Sequence, residues 1–343
     1  IRKVIIPSLW PTIIAGMALV IFETVADFGG VSTLRVETFT VGIYDAWFGY
    51  QSYFSAARLA GYLLIFVFLI MLIMKYFGAK SNNLASKTAE KFQKIETSTF
   101  NKVIMSIICS IIFALVFCLP TSQLIIWYFS DSALNIFTNL QLLINSTFVG
   151  VFASCVTVFF AISLALSFRQ LNSLKPLIII STSGYAIPGS VISAGLLIGF
   201  DFLFDTSITF YGIFGLIICL ALRFMTPAFN YISTSLLNIS KSAEYALATQ
   251  PSNQLKAFSY FYLPQMKPAI YLSLMLVFIE SVKEQPATLL LRPLGFDTLS
   301  TKIYNFTSEG QWEMAAGPSL FLVAISLIFV YVINKNIDIS ESK

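Results

Sequence analysis

Long stretches of apolar, almost uncharged residues recur along the chain and limit what it can fold into. Eight such stretches lie at roughly 10–28, 54–77, 103–129, 145–168, 177–200, 208–224, 267–288 and 316–334. A helix needs about 20 mostly apolar residues to cross the hydrocarbon core of a bilayer. Only 11% of the residues are charged, against about 25% in ordinary soluble domains. The sequence therefore predicts an all-α, polytopic membrane protein with about eight transmembrane helices.

The basic residues indicate how these spans are oriented. Short loops rich in Lys and Arg remain in the cytoplasm, so the segments 1–9, 75–102, 169–175, 223–267 and 335–343 are predicted to face inward. They contain most of the 21 bases. The outer segments are more acidic. Their acids form either a solvated outer face or a docking surface for a soluble partner.

Several functional classes are excluded by what the sequence lacks. It contains no His, its four Cys all lie in apolar runs without a C-x-x-C pair, and no metal site is predicted. Catalysis is not expected. A net charge of +4 with dispersed bases does not indicate nucleic-acid binding. No G-x-x-x-x-G-K-[ST] run occurs, so any ATP that drives this protein would be bound by another polypeptide.

An internal repeat links the beginning of the chain to its last third. Residues 7–35 match residues 264–292 at a constant offset of 257, and after a shift of three residues Tyr44 matches Tyr304. The polar and proline matches are Pro7 with Pro264, Pro11 with Pro268, Glu23 with Glu280, Asp27 with Glu284, and Arg35 with Arg292. Both copies begin on the inside, which predicts a parallel repeat rather than an inverted one.

The repeat divides the chain into four parts. Residues 1–77 are predicted to be the C-terminal end of a first repeat with two spans, and 78–102 a Lys-rich cytoplasmic linker. Residues 103–334 form a complete second repeat with six spans, and 335–343 a cytoplasmic tail. The second copy has about 160 residues before Pro264 that the first copy lacks, so about 160 further residues are expected upstream of Ile1.

The long inner segment at 225–266 carries the first resemblance to a known family. Ser240 is predicted to cap a short helix that Pro251 interrupts. The residues Glu244-Tyr245-Ala246, Pro251 and Leu263-Pro264 resemble the cytoplasmic EAA loop of ABC importer permeases, and Tyr245-Ala246-Leu247 is the alternative register. Pro251 stands where that family has glycine. The resemblance implies that these residues form a coupling helix held by an ATPase subunit.

Two further runs narrow the resemblance to one branch of that family. Gly184-Tyr-Ala-Ile-Pro-Gly189 and the segment from Val282 to Leu299, V-K-E-Q-P-A-T-L-L-L-R-P-L-G-F-D-T-L, are similar to segments of ferric iron permeases. The resemblance implies a type I ABC importer permease fold in a bacterial inner membrane. It also implies a cytoplasmic dimer of ATP-binding subunits and a periplasmic substrate-binding protein as partners. Ferric iron would be the transported substrate, with no tightly bound cofactor.

Charged and helix-breaking residues inside the spans are the candidates for a pathway or for an interface between the repeats. Glu280 lies 12 residues after Pro268, or about 18 Å along a helix, and Glu23 is its repeat mate. Such carboxylates either line a cation pathway or bond to neighbouring helices, for example to Lys283 and Arg58. The other candidates are Asp27, Glu284, Gly184, Pro188 and Gly189, of which the last three form either a hinge or a packing kink.

Other functions remain open at this point. Permeases for thiamine, phosphonate, sulfate and polyamines share the EAA loop, and only the two runs above favour iron. A channel or a gradient-driven carrier would not need the long inner segment of helical character. A membrane-embedded enzyme is disfavoured because no nucleophile–base pair and no set of metal ligands is recognisable.

Overall fold

The computed structural model of the chain is helical throughout the part that it describes. That part comprises residues 5–79, 98–130, 136–204, 212–248 and 254–341. No strand occurs within these ranges. The predicted all-α fold class is therefore confirmed.

Seventeen α-helices lie in these ranges, numbered here in chain order. The first six are α1 (Ile5–Ala26), α2 (Gly29–Thr33), α3 (Phe39–Tyr44), α4 (Tyr53–Ala79), α5 (Thr99–Phe113) and α6 (Leu119–Ser130). The next five are α7 (Ile136–Gln170), α8 (Lys175–Ser181), α9 (Gly189–Phe204), α10 (Gly212–Arg223) and α11 (Met225–Leu237). The last six are α12 (Lys241–Ala248), α13 (Gln254–Ala257), α14 (Leu263–Lys283), α15 (Pro286–Leu291), α16 (Leu299–Ser308) and α17 (Trp312–Glu341). Short 3₁₀ or π-helical turns lie at Asp45–Gly49, Ala114–Cys118, Asn172–Leu174, Gly184–Ala186 and Phe258–Tyr262.

Each predicted span corresponds to a helix or to a bent pair of helices. Five are continuous and long enough to cross a membrane: Tyr53–Met74, Thr99–Ser130, Asn139–Gln170, Phe258–Lys283 and Trp312–Val332. Two are bent pairs, Lys175–Ala186 with Gly189–Leu203 at 116° and Gly212–Arg223 with Met225–Leu237 at 50°. The first predicted span lies in α1, whose apolar part, Gly16–Ala26, is shorter. The described ranges thus contain five to seven helices of crossing length.

The two copies of the repeat have the same order of helices, α1 to α4 in the first and α14 to α17 in the second. The helices α2 and α15 begin at Gly29 and Pro286, which are equivalent at the offset of 257. The helices α3 and α16 begin at Phe39 and Leu299, which are equivalent after the three-residue shift. The contacts are reciprocal, because α2 touches α16 and α3 touches α15. Reciprocal contacts of this kind are typical of two copies related by a pseudo-twofold axis.

The packing centre of the bundle is α7, which contacts α11 and α14 along much of its length. Small residues on α7 allow this approach, among them the fully buried Ala153 and Ala161. A Cβ added at Gly150 would lie 2.9 Å from the ring of Phe278 on α14. In contrast, α5 has no buried residue, as expected for an apolar helix that faces lipid.

The predicted inner segment is shorter in the structure than the sequence suggested. Its first part forms α11, which buries Met225, Phe229, Ile232 and Leu236 and packs on α7 and α14. These four residues share one helical face, so α11 belongs to the bundle. The segment predicted as a coupling loop at 225–266 is therefore corrected to begin after α11. For the same reason Arg223, predicted as an inward-facing base, lies inside the bent span formed by α10 and α11.

The span that contains Gly184, Pro188 and Gly189 is broken sharply, by 116°. Both glycines lie where another part of the chain passes very close. A Cβ at Gly184 would overlap the backbone carbonyl of Leu222, and a Cβ at Gly189 would overlap the carboxylate of Glu284. The absence of a side chain at both glycines therefore allows the break to lie against α10 and the end of α14.

Replacing Gly184 by alanine is expected to destabilise the protein by about 1–3 kcal/mol, because the new methyl group displaces backbone rather than a flexible side chain. Gly195 on α9 is a matched control, since a Cβ there meets nothing within 4 Å. Thermal unfolding of the purified protein in detergent measures both variants. A Gly184→Ala midpoint equal to that of Gly195→Ala would contradict the close contact with Leu222.

Candidate functional site

A cluster of three polar side chains lies at the end of the bundle that the sequence predicts to face inward. Arg169, in the last turn of α7, donates from Nε to Glu244 Oε1 at 2.7 Å. Tyr262, just before α14, donates its hydroxyl to the same Glu244 oxygen at 3.0 Å. We call Arg169, Glu244 and Tyr262 the inner cluster. It attaches α12 to the two long helices at the packing centre of the bundle.

Arg169 also fixes the end of α11. Its guanidinium donates to the carbonyl of Ile239 at 2.8 Å and to the carbonyl of Leu236. The start of α12 is capped by Ser240, whose hydroxyl accepts from the backbone N–H of Ala243 at 3.3 Å. These hydrogen bonds connect α12 to α7, α11 and α14.

The predicted coupling residues fall into three groups. The first group, which lies on α12, is Glu244, Tyr245, Ala246 and Leu247. Glu244 accepts the hydrogen bonds of the inner cluster, whereas the side chain of Tyr245 is 72% exposed. Leu263 and Pro264 begin α14. Pro251 lies outside the described residues.

A second site lies between α1, α11 and α14, where two cavities meet at Glu280. The larger, of about 540 Å³, is the inner vestibule, lined by Leu19, Tyr185, Thr226, Pro227, Asn230, Tyr231, Thr234, Leu276 and Glu280. The smaller, of about 210 Å³, is the acidic cavity, lined by Glu23, Ala26, Asp27, Phe28, Gly29, Arg223, Glu280, Lys283, Glu284, Gln285 and Pro286. The acidic cavity brings together the predicted candidates Glu23, Asp27, Glu280, Lys283 and Glu284.

The repeat mates Glu23 and Glu280 have different partners. Glu23 Oε2 accepts a hydrogen bond from the hydroxyl of Tyr185 at 2.9 Å, which joins α1 to the broken span. Glu280 Oε1 lies 2.9 Å from Lys283 Nζ, one turn further along α14. The expected pairing with Lys283 is therefore present, whereas the guanidinium of Arg58 stacks on the ring of Phe54 at 4.2 Å.

A buried ion pair closes one side of the acidic cavity. Arg223 Nη1 lies 3.2 Å from Glu284 Oε1, and the two side chains are only 8% and 7% exposed. This pair joins α10 to the end of α14. Gly189, at the start of α9, has no side chain, and a Cβ there would overlap the ion pair. Arg223 Nε, which is buried, has no hydrogen-bond partner within the described ranges.

Removing one member of this pair is expected to be costly, because it leaves a buried charge unpaired. Arg223→Met or Glu284→Gln should each destabilise the protein by about 3–5 kcal/mol. The double variant should lose less than either single one, since neither charge then remains. Thermal unfolding in detergent measures all three, and strictly additive losses would contradict a direct pairing.

Three aromatic rings lie next to the acidic cavity, in segments that follow the C-terminal ends of α1 and α14. Tyr44 and Tyr304, which are repeat mates, have ring centroids 5.3 Å apart. The ring of Phe28, which also lines the cavity, lies 5.5 Å from Tyr44 and 5.2 Å from Tyr304. We call Phe28, Tyr44 and Tyr304 the aromatic plug.

The plug is uncharged at neutral pH. Burial raises the pKa of Tyr44 and also the pKa of Tyr304 above the usual value for tyrosine. The two phenol rings form a contact between the repeat copies.

The described part of the chain contains no group of three or more Cys, Asp or Glu side chains placed to hold a metal ion. Within these residues, the carboxylates of the acidic cavity are not arranged as a closed coordination shell.

The sequence identified the candidate residues but not the side chains that they contact. Arg169 and Tyr262 were not singled out, and the buried position of Arg223 was not foreseen. Arg169 is separated from Glu244 by 75 positions, so only the tertiary fold joins them. A signal for Arg223 was present, since the apolar periodicity of α11 continues beyond it.

Comparison with known proteins identifies several relatives, although no family model matches the chain. The Fe(3+)-transport system permease protein FbpB 2 of Haemophilus influenzae is 27% identical over 338 residues, which cover 96% of this chain and 66% of that protein. The ferric transport system permease protein FbpB of Actinobacillus pleuropneumoniae is 26% identical over 307 residues, or 79% of this chain and 44% of that protein.

A third relative is shorter. PhnV of Salmonella typhimurium, whose name assigns it to a 2-aminoethylphosphonate transport system, is 24% identical over 242 residues, or 65% of this chain and 90% of its own length. The chain spans about two thirds or less of the length of the two ferric relatives. These similarities confirm the resemblance that the motifs indicated. The chain is thus a multi-pass membrane protein related, over nearly its whole length, to the permease proteins of ferric ion transport systems.

Proposed function

We propose that this chain is the transmembrane permease part of a bacterial ABC importer that moves ferric iron across the inner membrane. The acidic cavity is the observation that carries the choice of cargo. It holds four carboxylates and two bases, namely Glu23, Asp27, Glu280 and Glu284 with Arg223 and Lys283. Hard cations prefer oxygen ligands, and a surplus of carboxylates attracts a cation and repels an anion.

The inner cluster supports the use of energy from a separate ATPase. Glu244 is the acidic residue of the segment that resembles the EAA loop, and its contacts with Arg169 and Tyr262 join α12 to α7 and α14. A cytoplasmic dimer of ATP-binding subunits that moves α12 would therefore move helices that line the vestibule. ATP is hydrolysed on those subunits and not on this chain.

The arrangement of the cavities supports alternating access. Phe28 of the aromatic plug lines the acidic cavity, and the inner vestibule shares Glu280 with that cavity and continues along α11. With the orientation that the sequence predicts, the plug would lie on the outer side and the vestibule would open inward. Separation of the two repeat copies at the pseudo-twofold axis would open the plug to a periplasmic binding protein that delivers the ion. Closure of the copies would then leave only the inner exit.

Uptake of radioactive iron tests the proposal. The permease in its full-length form is reconstituted in proteoliposomes with its ATPase subunits and its periplasmic binding protein. Ferric iron should accumulate only when ATP and the binding protein are both present, and excess 2-aminoethylphosphonate should not compete. ATP-independent flux would instead indicate a channel or carrier.

A second candidate cargo is an aminophosphonate, favoured by one observation. The buried guanidinium of Arg223, which has an unpartnered Nε within the described ranges, lines the same cavity, and guanidinium groups bind phosphonate-like oxyanions well. Uptake of 2-aminoethylphosphonate without iron uptake in the same proteoliposomes would select this cargo and overturn the ferric proposal.

A further inference from the structure

The acidic cavity is asymmetric in a way that the repeat does not explain. Glu23 is held by an uncharged donor, the hydroxyl of Tyr185. Its repeat mate Glu280 is held by a cation, the ammonium group of Lys283. The position equivalent to Lys283 in the first copy is Ala26. Only one of the two equivalent carboxylates therefore carries its own counter-ion.

We propose that the Lys283 ammonium group is a built-in counter-ion. It pairs with the Glu280 carboxylate between transport events and is displaced by the arriving cation. Its role is to keep the cavity from holding the ion tightly, so that the ion leaves toward the inner vestibule. This inference rests on the proposed function, in which a multivalent cation passes through the acidic cavity.

The exposure of the two side chains allows this exchange. Lys283 is 47% exposed, whereas Glu280 is 20% exposed. Partly exposed ion pairs are weak, and the lysine ammonium sits on a long flexible stem. It can therefore leave Glu280 without leaving the cavity. The pair formed by Arg223 and Glu284 differs in this respect, because both of its members are buried and fixed.

The retained positive charge then acts on the bound ion. A displaced ammonium group that stays within several ångströms of a trivalent cation repels it, and partial exposure to solvent reduces this repulsion without removing it. Glu280 lines both cavities, so an ion released from Glu280 enters the inner vestibule. Lys283 would thus lower the affinity at the point where release occurs.

A purely structural role for Lys283 makes a different prediction. The residue ends α14, where a basic side chain interacts favourably with the free carbonyl groups of the helix. Loss of that interaction would lower thermal stability and would leave the affinity of the cavity for a cation unchanged. Measurement of cation affinity therefore separates the two roles.

Binding of Tb³⁺ to the complete transporter in lipid nanodiscs provides the test. Tb³⁺ is a hard trivalent cation, and nearby tyrosine rings such as that of Tyr185 sensitise its luminescence. Lys283→Met should lower the dissociation constant about tenfold, the order expected when one like charge is removed near a trivalent ion in a partly solvated site. Lys283→Arg retains the charge and should remain within about twofold of the unmodified protein.

Two controls complete the design. Lys302→Met removes the same charge from α16, where the ammonium stacks on the ring of Phe306 at 4.7 Å, and should leave Tb³⁺ affinity unchanged. Adding Glu280→Gln to Lys283→Met should abolish the gain. The proposal is overturned if Lys283→Met binds Tb³⁺ no more tightly than the unmodified protein, or if Lys302→Met tightens binding equally.

Iron uptake by the same preparations distinguishes this proposal from the proposed function. If the unmodified complex accumulates ferric iron and Lys283→Met binds Tb³⁺ no more tightly than the unmodified protein, only the role of Lys283 is wrong. If the unmodified complex accumulates no ferric iron under any condition, the proposed function itself is wrong.

Discussion

Reversing the charge of Glu244 is expected to abolish coupled transport while the bundle stays folded. Glu244→Arg would place a guanidinium beside Arg169 and would remove the acceptor that Tyr262 uses. Hydrogen bonds to charged groups contribute about 1.5–3 kcal/mol each. Loss of both hydrogen bonds should detach α12 from α7 and α14. Since about 1.4 kcal/mol corresponds to a tenfold change in an equilibrium constant, we expect ATP-dependent uptake to fall at least tenfold.

A charge exchange provides the matched control for this variant. Arg169→Glu combined with Glu244→Arg restores one ion pair but not the contacts from Arg169 to the carbonyls of Leu236 and Ile239. Partial recovery of uptake is therefore expected. Size-exclusion chromatography establishes whether the complex assembles, and normal uptake by assembled Glu244→Arg would show that the inner cluster does not transmit force.

Covalently joining the two tyrosine positions of the aromatic plug should also stop transport. Tyr44→Cys and Tyr304→Cys, introduced after the four native cysteines have been replaced by alanine, are linked with a short bifunctional thiol reagent. Because the two rings are in contact and belong to different repeat copies, the link should hold the two copies together. Uptake should fall at least tenfold, because a shift of about 1.4 kcal/mol in the equilibrium between the closed and open states already changes their ratio tenfold.

The reversibility of the cross-link is its internal control. A reducible linker should restore uptake after treatment with dithiothreitol, and either single cysteine variant should be insensitive to the reagent. Full uptake by the cross-linked protein would place the outer gate elsewhere.

The general fold and the acids of the candidate site were predictable from the sequence for physical reasons. Spans follow from the length of apolar runs, and the break at Pro188 follows from the missing N–H and fixed φ of proline. The repeat identified Glu23 and Glu280 because costly intramembrane charges at one offset are not produced by an apolar composition. The structure places both at the acidic cavity.

Two parts of the site were not predictable in the same way. The partner of Glu244 is far away in the sequence, and no local pattern joins α12 to Arg169. The limits of the inner segment were misplaced because α11 has polar residues such as Asn230 and Thr234 on the face that lines the vestibule. These residues lower the apparent hydrophobicity of a helix whose other face is buried.

The most direct test of the acidic cavity as the cation pathway is ferric iron uptake by the double variant Glu23→Gln/Glu280→Gln in the reconstituted complex. Glutamine keeps the size of both side chains and removes both charges, and the buried pair of Arg223 with Glu284 remains intact. Uptake should fall at least tenfold, the factor that corresponds to a loss of about 1.4 kcal/mol of attraction between the cavity and the cation. ATP hydrolysis should continue. Unchanged iron uptake by this variant would contradict the cavity as the route of the ion.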